Sequence, residues 1–213
     1  MIKKTLLVLV AGAMALAACG GDDSTASSTT TTAAGPSKAE LTALLLTPAD
    51  LGTGDALDAK WATGDVSDGV DITLPKCVDE DQFDGSSTVV AKLVTDNPLK
   101  LPALEEHLTA YADRAAADAS LKAAATRLDG CAPEFIFQGT TSKGTIARLE
   151  VPSLGDATEA WRTTVEIAQT QVAITNVYTR VGNDVVSFVH VDAGNPDVTA
   201  ITALFQKGVD KLA

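Results

Sequence analysis

The last third of the chain restricts the fold most. Three successive runs, Glu159 to Ala168, Gln171 to Val181 and Asp184 to Asp192, have compatible period-two alternation, the pattern of strands that bury one face. Gln169-Thr170 and Gly182-Asn183 read as two-residue turns, so the runs form an antiparallel meander. On that register Val165 opposes Ile174, Trp161 opposes Tyr178, Tyr178 faces Ser187 and Ile174 faces Val191. One face carries Trp161, Val165, Ile167, Val172, Ile174, Tyr178, Val185, Val189 and Val191, and it is assigned to the core. The opposite face is mixed, with Arg162, Val177, Phe188 and His190 among threonines. An earlier run, Thr145 to Val151, fits the same sheet with Ala147, Leu149 and Val151 inward.

Around these strands the sequence sets helix signals. Ser37 precedes Glu40 by three residues and is followed by Leu41, Leu44 and Leu45, a capping box opening a helix. Thr47-Pro48-Ala49-Asp50 starts a second, short turn closed by Leu51-Gly52. Gly52 to Asp84 reads as mostly loop, anchored by Trp61 and Cys77, and Ser86 to Thr95 as a buried strand. Pro102 is expected to open a long alanine-rich helix reaching Leu128, with Leu104, Leu108, Tyr111, Leu121 and Leu128 on its inner side and His107 along it. Asn195-Pro196-Asp197 caps a C-terminal helix with Val198, Ile201, Leu204, Phe205 and Gly208 at helical spacing. The expected class is α+β: a twisted antiparallel sheet of about five strands, with the alanine-rich and C-terminal helices packed mainly on one face.

The N-terminus addresses the compartment. Lys3 and Lys4 precede an apolar run from Thr5 to Met14, and Leu16-Ala17-Ala18-Cys19 matches a small-residue cleavage box ending in the cysteine to be lipidated. That run is shorter than the roughly 20 residues a spanning helix needs. Residues 1–18 therefore read as a lipoprotein signal peptide, and 19–36 as the lipidated Cys19 followed by a flexible Ser/Thr-rich tether. Residues 37–213 form a single domain, long enough to bury a real core. Several acyl chains on one cysteine hold a protein stably at a membrane, where one chain does not. With Cys19 taken, Cys77 and Cys131 remain as a pair in an oxidising compartment and read as a disulfide. Neither has a CxxC partner or a nearby histidine that would favour a metal site or a nucleophilic thiol.

Charge excludes some partners. Residues 1–18 hold two lysines and no acid, so the chain from Cys19 keeps 14 of 16 basic residues against 28 acidic ones, a formal net charge of -14 rather than -12. This argues against nucleic acid and against electrostatic adhesion to anionic lipid. There is no GxSxG, HExxH, GxGxxG or Walker-type loop, and only two histidines are present. Asp79-Glu80-Asp81 with Asp84 lacks the glycine and ligand spacing of an EF-hand and reads as a solvated loop. No catalytic role, cofactor or metal is expected.

The Leu44 to Gly52 stretch LLLTPADLG, the cysteine Cys77 after a variable loop, the run Asp129-Gly130-Cys131-Ala132 and the paired strands around Val177 to Val186 together carry a resemblance. The chain from Ser37 onward resembles the PknH-like extracellular sensor domains of actinobacteria. The resemblance implies a twisted antiparallel sheet with long helices and a cleft for an unidentified envelope ligand. That family's usual second disulfide has no counterpart here. The resulting expectation is a lipid-anchored protein on the extracytoplasmic face of the bacterial cell membrane. Its sensor-like domain would bind a small or lipid-like envelope ligand over the mixed face, through Arg162, Val177, Phe188 and His190. The alternative is a non-catalytic interaction or scaffold module with an envelope protein partner.

Overall fold

In chain order the elements are α1 (Lys38–Leu44), α2 (Pro48–Leu51), β1 (Trp61–Thr63), β2 (Ile72–Thr73), β3 (Ser87–Thr95), β4 (Ala103–Ala110), α3 (Arg114–Asp129), β5 (Glu134–Phe137), β6 (Thr140–Lys143), β7 (Thr145–Arg148), β8 (Ala157–Ile167), β9 (Thr170–Val181), β10 (Asp184–Ala193) and α4 (Val198–Asp210). They come from a computed structural model that describes residues 36–51, 60–64, 72–73, 77, 85, 87–96, 100–137, 140–167 and 169–213. The expected signal peptide, Cys19, the tether and the acidic loop at Asp79 to Asp84 lie outside the described residues. Among those described, seven strands pair antiparallel in the order β1-β3-β4-β10-β9-β8-β7, and β2-β5-β6 form a small second sheet. The class is α+β, as the alternating runs and helix caps implied.

The meander forms as expected with one change of register. Across β9 and β10, Tyr178 pairs with Ser187 and Ile174 with Val191, around a turn at Gly182 and Asn183 in which Gly182 takes a φ of 61°. Across β8 and β9, Ile167 pairs with Thr170, Val165 with Val172 and Trp161 with Asn176, and Gln169, with a φ of 66°, leads into β9. Each partner moves by two residues from the expected pairing. A shift of two leaves every side chain on its expected face, so the hydrophobic pattern cannot distinguish the two registers. Trp161 and Tyr178 still meet, now diagonally, with ring centroids 6.0 Å apart in an edge-to-face arrangement.

The region from Pro102 to Ala112 corrects the sequence expectation. Residues Ala103–Ala110 form β4, a central strand hydrogen-bonded to β3 on one side and β10 on the other. The long helix starts only at Arg114, where Asp113 caps it by accepting from the Ala116 N–H at 2.9 Å. Leu104 and Leu108 are four apart, a spacing that fits one helix face and equally one strand face. The helix propensity of Leu-Glu-Glu-His-Leu is overridden by the two ladders. His107, expected on a helix, therefore lies on a strand and is buried.

Both faces of the large sheet are covered, which also departs from the one-sided packing expected. On the face of Trp161, α3 inserts Leu121, Ala124, Ala125 and Leu128 against Trp161 and Tyr178. Beside it, Phe135 of β5 packs on Val165, Ile167, Val172 and Ile174. The opposite face takes α1, α2 and α4, whose Leu41, Leu51, Ile201 and Phe205, with Leu46 from the α1–α2 junction, enclose Val177, Val186 and Phe188 together with Leu104 and Leu108. Trp61 belongs to this second core, and Leu149 and Val151 pack at its margin. The Phe188 and Phe205 rings stack with centroids 4.8 Å apart. Gly208 permits that approach, because an added Cβ would stand 2.7 Å from the Phe188 ring.

Helix caps and the disulfide agree with the sequence. Ser37 and Glu40 form a complete capping box on α1, and Asp197 caps α4 by accepting from the Thr199 N–H at 3.0 Å. Cys77 and Cys131 are joined, with Cα atoms 5.8 Å apart and a sequence separation of 54.

Two stability outcomes follow. Reducing the disulfide, or replacing Cys77 and Cys131 together by serine, should lower the unfolding free energy by roughly 4 kcal/mol. Phe205→Ala should cost about 3–5 kcal/mol by removing the stacked ring over Phe188. Urea unfolding followed by tryptophan fluorescence measures both.

Candidate functional site

The four side chains expected to meet a ligand lie on one face, but that face is the floor of the α4 core. Val177 and Phe188 pair directly across β9 and β10 and are fully buried. His190 is fully buried in the next row, opposite Thr175 and Leu104. Arg162 is half-buried and donates through Nη1 to Asn195 Oδ1 at 2.7 Å and through Nη2 to the Pro196 carbonyl at 3.3 Å, which fixes the lead into α4. Burial lowers the pKa of this guanidinium from its ordinary value. The mixed face expected to hold the ligand is thus covered: α4 needs an apolar partner and takes Phe188, Val177 and Val186 for it. The sequence carried the signal, since two amphipathic helices and a leucine-rich N-terminal segment require more than one apolar sheet face.

The other face holds a polar stripe that the alternation rule concealed. Thr163 on β8, Asn176 on β9, Ser187 on β10 and His107 on β4 follow a diagonal across four adjacent strands, and Val90 on β3 continues it opposite His107. It runs between the two apolar clusters of that face, one under α3 and one under Phe135. Exposure rises along it: Thr163, Asn176 and Ser187 are each at 1 %, His107 at 6 % and Val90 at 43 %. The stripe therefore has a closed inner end at β8 and β9 and an open end at β3.

At the open end three charged or titratable groups converge. Lys92 Nζ and His107 Nε2 each lie 3.0 Å from Glu105 Oε1. Burial acts to raise the pKa of the Glu105 carboxyl, and the hydrogen bond and charge of His107, with those of Lys92, more than offset it and hold the group below the ordinary carboxylate range. The pairing therefore stabilises the fold above that range and is lost as pH falls through it.

At the closed end the polar atoms lack partners among the described residues. Neither the amide oxygen nor the amide nitrogen of Asn176 is hydrogen-bonded, nor is the Thr163 hydroxyl, although all three are buried. A buried, unsatisfied polar group costs roughly 1–3 kcal/mol, and native structures almost always satisfy such groups with protein, water or ligand. Thr163 and Asn176 occupy neighbouring rows of paired strands, so one small group with both donor and acceptor capacity suits them together. Among the described residues no cluster of three or more His, Cys, Asp or Glu stands ready for a metal ion.

Charged pairs fix the α3 wall of the stripe. Asp129, at the end of α3, accepts from Trp161 Nε1 at 3.0 Å and from Arg148 Nη2 at 2.7 Å, and Arg148 lies over the Trp161 ring at 5.1 Å. Arg180, almost wholly buried, meets Asp118 of α3 and Asp156 before β8. Hydrogen bonds from Arg148 and then Trp161 hold the Asp129 carboxyl below its ordinary pKa. The wall is therefore clamped at its C-terminal end and, through Asp118, in its N-terminal part.

No family profile matches the sequence, and no curated protein does. The fold does have a solved counterpart, the extracellular domain of PknH from Mycobacterium tuberculosis. The TM-score is 0.57 at 17% sequence identity, over 83% of this chain and 96% of that one. This chain therefore shares the fold of that domain.

Because the inner-end polar atoms are buried without partners among the described residues, removing their polarity should strengthen the ligand-free fold. Thr163→Val and Asn176→Val should each raise the unfolding free energy of the ligand-free protein by about 1–3 kcal/mol. A loss of that size in urea titrations would instead mean that an ordered water already satisfies the atom.

Proposed function

We propose that the chain is a lipid-anchored extracytoplasmic lipoprotein whose domain is a non-catalytic, sensor-like binding module. Its ligand is a small or lipid-like envelope molecule that lies along the Thr163, Asn176, Ser187 and His107 stripe. The observation that carries this reading is the closed inner end, where the Asn176 amide and Thr163 hydroxyl are buried between two apolar clusters without partners among the described residues. A neutral group such as a hydroxyl or amide meets that end, an apolar body lies against the cluster walls, and the Lys92, Glu105 and His107 trio faces the polar end at the mouth. The fold shared with an extracellular domain supports the compartment, as does the cleavage box before Cys19. No described helix is long and apolar enough to cross a membrane, and the proposed anchor is the acylated cysteine, which is also the membrane partner.

The test uses the full-length protein extracted in detergent from its native host and analysed by native mass spectrometry. A reproducible co-purifying molecule should be present in the wild type and absent from Asn176→Val. A molecule retained by Asn176→Val would place the site elsewhere. An empty spectrum, together with one envelope protein captured by crosslinking, would favour the interaction-module reading. Cys19→Ser should move the protein from the membrane pellet to the soluble extracytoplasmic fraction, and a variant still held in the pellet would refute the lipid anchor.

A further inference from the structure

On the face away from the stripe, β4 carries an acid that the binding reading does not use. Glu106 is buried at 1 % exposure, directly opposite Phe188 on β10 and Ala91 on β3. Its Oε2 accepts from the backbone N–H of Leu46, at the junction of α1 and α2, at 2.6 Å. On the α4 side, the Cβ position of Gly208 stands 2.9 Å from Glu106 Oε1, so no side chain fits between helix and acid. The α1–α2 segment is further held by α4, through Lys211 Nζ to Asp50 Oδ2 at 2.9 Å and Lys207 Nζ to the Leu51 carbonyl at 3.1 Å. This segment opens the ordered domain, immediately after the residues read as the tether.

We propose that Glu106 is a proton-operated latch: neutral, it seats the α1–α2 segment on the sheet, and ionised, it loosens that segment. The geometry explains the direction. A neutral carboxyl rests against Phe188 at modest cost, whereas a carboxylate there draws water and does so by lifting the segment above it. Among the described residues, the charged and titratable groups that act on Glu106 are Lys211 from α4, Asp50 from α2 and His107 on the other face of its own strand; His190 lies one row along on β10, and Lys207 of α4 is turned to the Leu51 carbonyl. Burial is the largest influence and pushes the Glu106 carboxyl up to about 7, with the Leu46 N–H and Lys211 opposing and Asp50 adding to it.

The sign follows from linkage. Burial under the segment contributes to raising Glu106 from its ordinary 4.5 to about 7, so lifting the segment moves the carboxyl back toward 4.5. Between those values the seated form binds more protons, so seating is strongest in acid and falls as pH rises to about 7. The full range changes the ratio of seated to loosened forms at most on the order of 300-fold. α1 has 7 residues and α2 has 4, too short to persist once off the sheet, so loosening melts them.

Hydrogen exchange of the full-length protein in detergent, corrected for intrinsic rates, tests the latch between pH 5 and 8. Protection of peptides within residues 37–51 should fall by one to two orders of magnitude between pH 5 and about 7 and level off above that, while β9 peptides stay unchanged. Glu106→Gln keeps an acceptor for Leu46 without a charge and should hold the segment protected across the range. Protection that does not vary with pH in the wild type, or that varies equally in Glu106→Gln, overturns the proposal. Should that variant not fold, carbon NMR of labelled glutamate carboxyls in the wild type decides the matter. One carboxyl titrating near 7 in step with the Leu46 amide supports the latch, and all of them titrating below about 5 refutes it.

Discussion

Two-sided burial of the seven-stranded sheet is the constraint on which the rest of the structure depends. A strand buried on one face needs apolar side chains at alternate positions, but β4, β9 and β10 are buried on both, so nearly every residue along them is enclosed. That requirement recruits α3 and Phe135 to one face and α1, α2 and α4 to the other. It also gives the polar residues within these strands their weight. Thr163, Asn176, Ser187 and His107 would be ordinary solvent-facing side chains on a half-exposed sheet. Enclosed, they form a stripe whose inner atoms need a partner.

Charge is used here to position elements, with three arginines each tied to a particular junction. Arg180 joins β9 to α3 and to the approach to β8, Arg148 joins the β7 edge to the end of α3, and Arg162 joins β8 to the lead into α4. Lys207 and Lys211 do the same between α4 and α2. β4 lies between the two faces and carries Glu105, Glu106 and His107 in succession, so the mouth of the stripe and the N-terminal segment are contacted from adjacent residues of one strand.

Much of the fold was legible because its signals are local. The capping box at Ser37, the Asp197 cap, the Gly182 turn and the pairing of Cys77 with Cys131 depend on a few residues each and are present as read. Three features were not legible. The strand at Ala103–Ala110 hid behind good helix formers, because its pairing partners lie more than 70 residues downstream on one side as well as close by on the other. The β8–β9 register hid because a two-residue shift preserves both faces. The polar stripe hid because its members come from different strands and none is unusual in its own.

The sequence by itself determined which residues share a face in the meander, where the helices at Ser37 and Asp197 begin, and which cysteines pair, since periodicity and caps act over a few neighbouring residues. Only the tertiary structure decided which elements cover which face. That choice turned Arg162, Val177, Phe188 and His190 into the floor of a core and left the stripe at Asn176 as the candidate site. The physical reason is that covering a face depends on the shape and apolar area of elements far apart in the chain. An alternating pattern records that a face is buried, but not what buries it.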